Sequence, residues 1–252
     1  MPSIVGRRLV RLGTVVSTMD EVEALARAGE PEGIVVVADE QTAGRGRSGR
    51  RWSAPTGSSL LCSILLRPPV PPDRLAVLPL VVGVAAAEAI DAVAGVACRL
   101  KWPNDVWIDG RKVAGVLVTA RTGAAGLEHS VVGVGINVNV PPTEVIDGAT
   151  SLLTATGHLH DRERLLTVLL ERLGTGYQAF VVAGGRPDLR AWRSRSALVD
   201  ERVTITVGDD HRHGTFRGVD DDGALLLEVD DRRVERVVAG ELTRGPVRRA
   251  DG

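Results

Sequence analysis

A loop rich in glycine and arginine, residues 44–52, has the sequence Gly-Arg-Gly-Arg-Ser-Gly-Arg-Arg-Trp. Glycines let main-chain N–H groups approach a ligand closely, and guanidinium groups bind phosphate or carboxylate through paired hydrogen bonds. Trp52 adds a flat apolar face that could stack on a purine or cover a hydrophobic ligand. The loop predicts anion binding, and on its own it leaves a solvated basic turn or a nucleic-acid contact open as alternatives.

Two further segments place charged side chains where they could meet an anion. Residues 101–105, Lys-Trp-Pro-Asn-Asp, gather a cation, an amide and a carboxylate around a proline-fixed turn, although such residues often satisfy only their own backbone. Lys112 begins an otherwise apolar strand and could neutralise charge on a phosphate, or could be a solvated charge at a sheet edge. Residues 133–139 resemble a dinucleotide fingerprint but lack its third glycine and the helix that follows it.

The elements that must position these residues are predicted from hydrophobic periodicity. A cap signal at Ser17-Thr18 followed by helical spacing predicts a helix over residues 18–28, and an amphipathic stripe predicts another over 162–180. Residues 41–57 carry no periodicity and are predicted to be an irregular loop between two strands. Strands are predicted at residues 34–38, 59–66, 97–102, 106–108, 112–119 and 130–138, with a hairpin turn at Asp109-Gly110.

The pattern of hydrophobic and polar residues changes near residue 198. Short alternating strands follow, separated by aspartate-rich turns, and this pattern is typical of a small β-barrel. These strands are predicted at residues 202–207, 214–219, 224–229 and 233–238. The length of 252 residues suits one large core with a small second domain.

Composition excludes several classes of protein. The net charge of −1 lacks the basic excess of a nucleic-acid-binding protein. Cys62 and Cys98 form no C-x-x-C pair, which favours reduced thiols in a cytoplasmic protein over a disulfide framework or a zinc site. The N-terminus lacks the apolar core of a signal peptide. The apolar stretch 75–87 contains Pro79 and is too short to span a bilayer, so residues 75–93 predict a buried helix.

Taken together, the four motifs resemble the catalytic domain of biotin protein ligases, over roughly residues 16–153. The signature Gly-Arg-Gly-Arg-x-Gly-Arg-x-Trp stands at 44–52, Lys-Trp-Pro-Asn-Asp at 101–105, Lys-x-x-Gly-x-Leu at 112–117 and Gly-Ile-Asn at 135–137. The resemblance implies an α/β (α+β) fold, with a class II synthetase-like antiparallel sheet, helices and a small C-terminal SH3-like β-barrel. It further implies a catalytic domain over residues 1–197 that binds biotin and ATP, and an SH3-like domain over 198–252.

The resemblance also implies roles for individual residues. The catalytic residues would be Lys112, Arg47, Arg45 and Asp105. Biotin would be bound by Ser17, Thr18, Gln41, Arg45, Gly46, Arg47 and Lys112. ATP would be bound by Arg50, Trp52, Asn104 and Asn137, and Asp105 is the candidate ligand for Mg²⁺. The family often has Asn after Ser-Thr where this chain has Met19, and the slot of Ser48 is basic in some relatives.

The implied activity is ATP-dependent formation of biotinyl-5′-AMP and transfer of biotin to one lysine of a biotin carboxyl carrier domain, without nucleic acid or membrane as a partner. Homodimerisation stays open. A lipoate-type protein ligase and a non-enzymatic RNA-binding or interaction module are the alternatives. Some relatives carry an N-terminal helix-turn-helix, for which Ser17 stands too early in this chain.

Overall fold

The computed structural model describes residues 4–124, 126–230 and 232–245, so residues 246–252 of the predicted C-terminal domain lie outside it. The strands of the first part are β1 (Arg8–Val15), β2 (Ile34–Gln41), β3 (Gly44–Arg45), β4 (Arg51–Trp52), β5 (Ser59–Leu66), β6 (Arg99–Lys101), β7 (Asp105–Ile108), β8 (Arg111–Gly123) and β9 (Gly126–Asn137). Seven of them form one sheet in the order β1-β2-β5-β9-β8-β7-β6, and β3 and β4 form a separate hairpin.

The predicted antiparallel pairing holds from β2 to β6, but the opposite edge of the sheet differs. Strand β1 was not predicted, and it pairs in parallel with β2. Its arginines, Arg8 and Arg11, interrupt the apolar alternation because β1 is an edge strand with a partly solvated surface. The loop predicted to be irregular contains the β3–β4 hairpin, which closes through a tight turn at Arg47–Gly49.

The described residues form five α-helices: α1 (Thr18–Arg27), α2 (Leu78–Ala94), α3 (Leu152–Thr156), α4 (Arg162–Val182) and α5 (Arg190–Arg195). The predicted cap is confirmed, because the Ser17 side chain accepts a hydrogen bond from the Met19 N–H at the start of α1. Helices α2 and α4 contact each other and bury the main apolar cluster, whereas α1 packs on the other face with Val36, Leu65 and Val131.

Helix α2 is the buried helix that the sequence predicts. The prediction from length was wrong, because the helical segment Pro72–Ala94 extends beyond residues 75–87 and is long and apolar enough, by length and composition alone, to cross a membrane. Ten residues of α2 are nevertheless buried against the sheet and neighbouring helices, and Gly95 ends it in a left-handed conformation (φ 69°). This is the packing of a core helix.

The C-terminal strands are β10 (Arg202–Val207), β11 (Asp210–Val219), β12 (Leu225–Glu228), β13 (Val234–Val237) and β14 (Glu241–Arg244). They form an antiparallel sheet in the order β13-β12-β11-β10-β14, in which only β14 was not predicted. This sheet shares its apolar core with the first part of the chain, and the buried Trp102 indole donates a 3.0 Å hydrogen bond to the Gly223 carbonyl. The predicted mixed fold with a C-terminal β-sheet domain is therefore confirmed.

Candidate active site

One cavity of about 290 Å³ lies on the face of the large sheet that carries α1. Its walls come from the start of α1, the loop 44–53, strands β5, β8 and β9, and the segment 144–149. The predicted site residues that line it are Ser17, Thr18, Gln41, Arg45, Gly46, Arg47, Arg50, Trp52, Asn104, Asp105, Lys112 and Asn137. The structure thus brings together every residue to which the sequence analysis gave a role in the site.

One end of the cavity is a small hydrogen-bonded polar cluster. The Thr18 N–H and hydroxyl both donate to Gln41 Oε1, at 2.8 and 3.0 Å. The Thr18 hydroxyl also lies 2.7 Å from the hydroxyl of Ser63, a buried residue that sequence reasoning missed. Because these groups hold one another in place, they present fixed donors and acceptors to a polar ligand.

The floor of the cavity is made of glycine backbone on β8 and β9. Gly133 and Gly135 are two residues apart on β9, so they face the same side, and Gly115 on β8 is the partner of Gly135. An ideal Cβ at Gly133 would lie 2.9 Å from the Met19 sulfur, so the Met19 side chain packs against this floor. The sequence analysis missed the floor, although glycines inside an apolar strand signal close approach.

At the opposite end, Lys112 and Asp105 form an ion pair of 2.6 Å between Nζ and Oδ1. The β7–β8 hairpin sets them side by side, and the predicted turn is confirmed by positive φ values at Asp109 (48°) and Gly110 (76°). The Lys112 backbone is anchored because its N–H donates to the Gly148 carbonyl at 3.0 Å. The ammonium is held in the cavity rather than at a free sheet edge.

The three predicted arginines also have protein partners. Arg45 is paired with Asp20 on α1, and Arg50 with Glu241 on β14 at 2.7 Å. Arg47 Nη1 donates to Asn104 Oδ1 and to the Gly240 carbonyl, both at 3.3 Å. Burial lowers the pKa of Arg47, and the charge of Asp105 opposes this shift. An incoming anion would therefore have to displace these protein partners of the arginines. Two of the partners, Gly240 and Glu241, lie in the C-terminal part of the chain and could not be found from local motifs.

The remaining predicted residues frame the middle of the cavity. Asn104 Nδ2 donates to the Val116 carbonyl at 2.7 Å, and Asn137 Nδ2 donates to the Thr150 carbonyl at 3.0 Å. The Trp52 indole covers Gly135, and its buried Nε1 has no hydrogen-bond partner among the described residues. The segment 144–149 adds a wall that the sequence analysis missed, including the exposed Ile146.

Among the described residues, the site contains neither a reactive thiol nor a cluster of metal-ligating side chains. The Cys62 side chain on β5 packs in the main apolar cluster, and burial raises the pKa of its thiol to about 12, so it stays protonated at neutral pH. Cys98 is also a free, buried thiol. Within residues 4–124, 126–230 and 232–245, no group of three or more His, Cys, Asp or Glu side chains could hold a metal ion. Asp105 is the one carboxylate among the predicted site residues.

Comparison with known proteins gives matches along most of the chain. Residues 13–137 match the family described as biotin/lipoate A/B protein ligases, and residues 199–242 match the biotin protein ligase C-terminal domain. The bifunctional ligase/repressor BirA of Bacillus subtilis is 32% identical over 246 residues, covering 96% of this chain and 75% of the relative. The biotin–[acetyl-CoA-carboxylase] ligase of Mycobacterium tuberculosis is 36% identical over 235 residues, covering 90% and 85%.

Solved structures give the same result. The biotin protein ligase from Aquifex aeolicus in complex with biotin and ATP superposes with a TM-score of 0.81 at 30% identity, covering 95% of this chain and all of that one. A mutant of that ligase in complex with biotin gives a TM-score of 0.83 at 30% identity, covering 96% of this chain and all of that one. Sequence, fold and the converged motif residues point the same way, and the protein belongs to the biotin protein ligase family.

Proposed function

We propose that this protein is an ATP-dependent ligase that forms biotinyl-5′-AMP and transfers the biotin to a specific lysine of a biotin carboxyl carrier domain. The observation that carries the proposal is the cavity itself, which joins a fixed polar end to a cationic end across a glycine floor. A bicyclic ureido ring with a carboxylate-bearing tail needs both ends at once. Residues 1–197 would form the catalytic domain and 198–252 the C-terminal domain.

The residue roles follow from position in the cavity. The ureido ring would lie against Ser17, Thr18 and Gln41, because its buried donors and acceptors must be satisfied. The biotin carboxylate and the α-phosphate would meet near Lys112, under Arg45, Gly46 and Arg47. Arg50, Trp52, Asn104 and Asn137 would hold the nucleotide, and the Trp52 N–H, which has no partner among the described residues, is available to an acceptor on the ligand.

In the first step, a biotin carboxylate oxygen attacks the α-phosphorus of ATP, and pyrophosphate leaves. Two anions must approach each other, so catalysis depends on positioning and charge neutralisation. The Lys112 ammonium, released from Asp105, would bridge the carboxylate and the α-phosphate. Arg45 and Arg47 would reduce the remaining repulsion.

In the second step, the neutral amine of the acceptor lysine attacks the acyl carbon of the mixed anhydride, AMP leaves, and the nitrogen loses a proton. Asp105 is the carboxylate paired with Lys112 and would orient or deprotonate the incoming amine. The exclusion of water by the loop 44–52 would protect the anhydride from hydrolysis until the acceptor arrives.

Magnesium would neutralise the phosphates of ATP and the leaving pyrophosphate. The carboxylate of Asp105 fits this ion, which commonly uses one or two protein carboxylates together with substrate phosphates. Asp105 would be that ligand. We further propose a cytoplasmic enzyme with no nucleic-acid or membrane partner, and homodimerisation is left open.

Biotin-dependent exchange of labelled pyrophosphate into ATP tests the first step, and the mass of a carrier domain incubated with the enzyme, biotin and ATP tests the second. We expect exchange with biotin and none with lipoate, followed by addition of one biotinyl group to one lysine. Exchange that is supported by lipoate but not by biotin would assign the protein to the lipoate ligases. The absence of any exchange would refute the enzymatic proposal.

A further inference from the structure

Lysine is almost absent from this chain. Of the 31 basic residues, only Lys101 and Lys112 are lysines, and the rest are arginines. Arginine therefore serves wherever a solvated positive charge is sufficient. Lysine and arginine differ where space is tight, because an ammonium is a compact point charge and a guanidinium is a wide planar fork. The two retained lysines mark positions where compact charge matters.

Both lysines contact the same carboxylate. Lys112 Nζ lies 2.6 Å from Asp105 Oδ1, and Lys101 Nζ lies 3.9 Å from Asp105 Oδ2. The Lys101 and Asp105 side chains are only 12% and 16% exposed, compared with 34% for Lys112. Lys101 and Asp105 are also directly paired residues on strands β6 and β7, so their separation is fixed by the sheet. Asp105 thus has one inner cation, Lys101, and one outer cation, Lys112.

The inner cation is held independently of the outer one. Lys101 Nζ lies 5.1 Å from the centroid of the Trp107 ring, a contact that stabilises a partly desolvated ammonium. Burial lowers the pKa of Lys101, and the neighbouring Asp105 opposes that shift. Lys112 lines the cavity and Lys101 lies behind it, so substrate can draw away the outer cation and leave the inner one in place.

We propose that Lys101 is a positioning residue for adenylate formation, which shares the charge of Asp105 so that Lys112 can leave that carboxylate and meet the reacting anions. This inference rests on the proposed function. When Lys112 turns towards substrate, Asp105 would otherwise lose its last protein cation in a poorly solvated position, which is strongly unfavourable. Lys101 reduces this energetic cost. Because the cost arises when Lys112 moves and not when substrate first binds, loss of Lys101 should change kcat rather than KM.

A double-mutant cycle on the full-length protein tests this. In biotin-dependent pyrophosphate exchange, Lys101→Met should lower kcat by about tenfold or more and leave KM for biotin and ATP within about threefold. In an Asp105→Asn background, position 105 carries no charge that could lose its partner, so adding Lys101→Met should change kcat by less than about threefold. Arg111→Met, next to Lys112 on the same strand, is the matched control and should keep wild-type kinetics.

The thermal midpoint of each variant separates positioning from folding, and Lys101→Gln provides a second charge-removing change. Equal losses of kcat from Lys101→Met in both backgrounds would show a merely structural role and overturn the inference. So would wild-type kcat in both Lys101 variants. Failure of the proposed function itself is distinct, because the wild-type protein would then show no biotin-dependent exchange.

Discussion

The indole of Trp52 lies flat against the bare backbone of Gly135, so closely that an ideal Cβ at position 135 would come within 2.7 Å of Trp52 Cε2. Real Cβ atoms do not approach neighbours to this distance, so any side chain there would displace the ring. An ideal Cβ at Gly115, across the β8–β9 pair, would lie 3.2 Å from Cζ3 of the same indole. Gly115 and Gly135, which have no side chains, thus leave room for the Trp52 indole to pack against the sheet.

Gly135→Ala should therefore raise KM for biotin and ATP by about tenfold or more, because the displaced indole loses its ligand contacts and about 1–3 kcal/mol of overpacking strain appears. Steady-state exchange kinetics measure this. Gly83→Ala is the matched control, since its new Cβ would meet Leu100 at an ordinary 3.6 Å. Unchanged KM values in Gly135→Ala would show that Trp52 does not cover the ligand.

Lys112→Ala should abolish most adenylate formation, because the proposed mechanism uses the Lys112 ammonium to bridge the biotin carboxylate and the α-phosphate. Loss of one such contact costs about 2–4 kcal/mol, or a hundredfold or more in rate. Lys112→Arg should fail as well, since a guanidinium would shift the two oxygens that it must bridge. Pyrophosphate exchange within about tenfold of wild type in Lys112→Ala would contradict the assigned role.

Arg47→Gly should release the adenylate prematurely. The change removes the contacts of Arg47 with Asn104 and Gly240 and adds backbone freedom to the loop that covers the ligand. Labelling of a bystander protein, detected as biotin on its lysines, should therefore increase. Arg51→Gly is the control in the same loop, because the Arg51 side chain donates to the nearby Thr42 carbonyl. Equal bystander labelling by both variants would argue against a specific closing role for Arg47.

Glu241→Gln should weaken ATP binding with little effect on folding. The Arg50–Glu241 pair joins the loop to the C-terminal sheet, and both side chains are largely exposed, so its stability contribution is below about 1 kcal/mol. Loosening the loop should still raise KM for ATP about two- to fivefold. Glu235→Gln, whose partners are Arg212 and Arg233 in the same sheet, is the control. A lower KM for ATP would instead mean that Glu241 competes with phosphate for Arg50.

The sequence predicted the residues of the site better than their partners. Lys112, Asp105 and the arginine loop were placed in one site without a structure, because the four motifs in order resemble those of a known family, although each motif alone left alternatives open. Asp20 and Glu241 were missed because ion pairs between distant segments leave no local pattern. Strand β1 was missed because an edge strand alternates weakly, and the glycine floor was missed because three separate glycines gain meaning only when the β8–β9 register aligns them.

The scarcity of lysine also affects how this protein reacts with its own biotinyl-adenylate intermediate. A biotinyl-adenylate is an electrophile that acylates amines, and guanidinium groups stay protonated and do not compete. Almost every basic side chain here is an arginine, and the two lysine ammonium groups are both partly buried and paired with Asp105. A variant that leaks its intermediate would label its neighbours, whereas its own side chains offer only these two shielded amines for acylation. That property suits a proximity-labelling reagent, in which self-biotinylation contributes background.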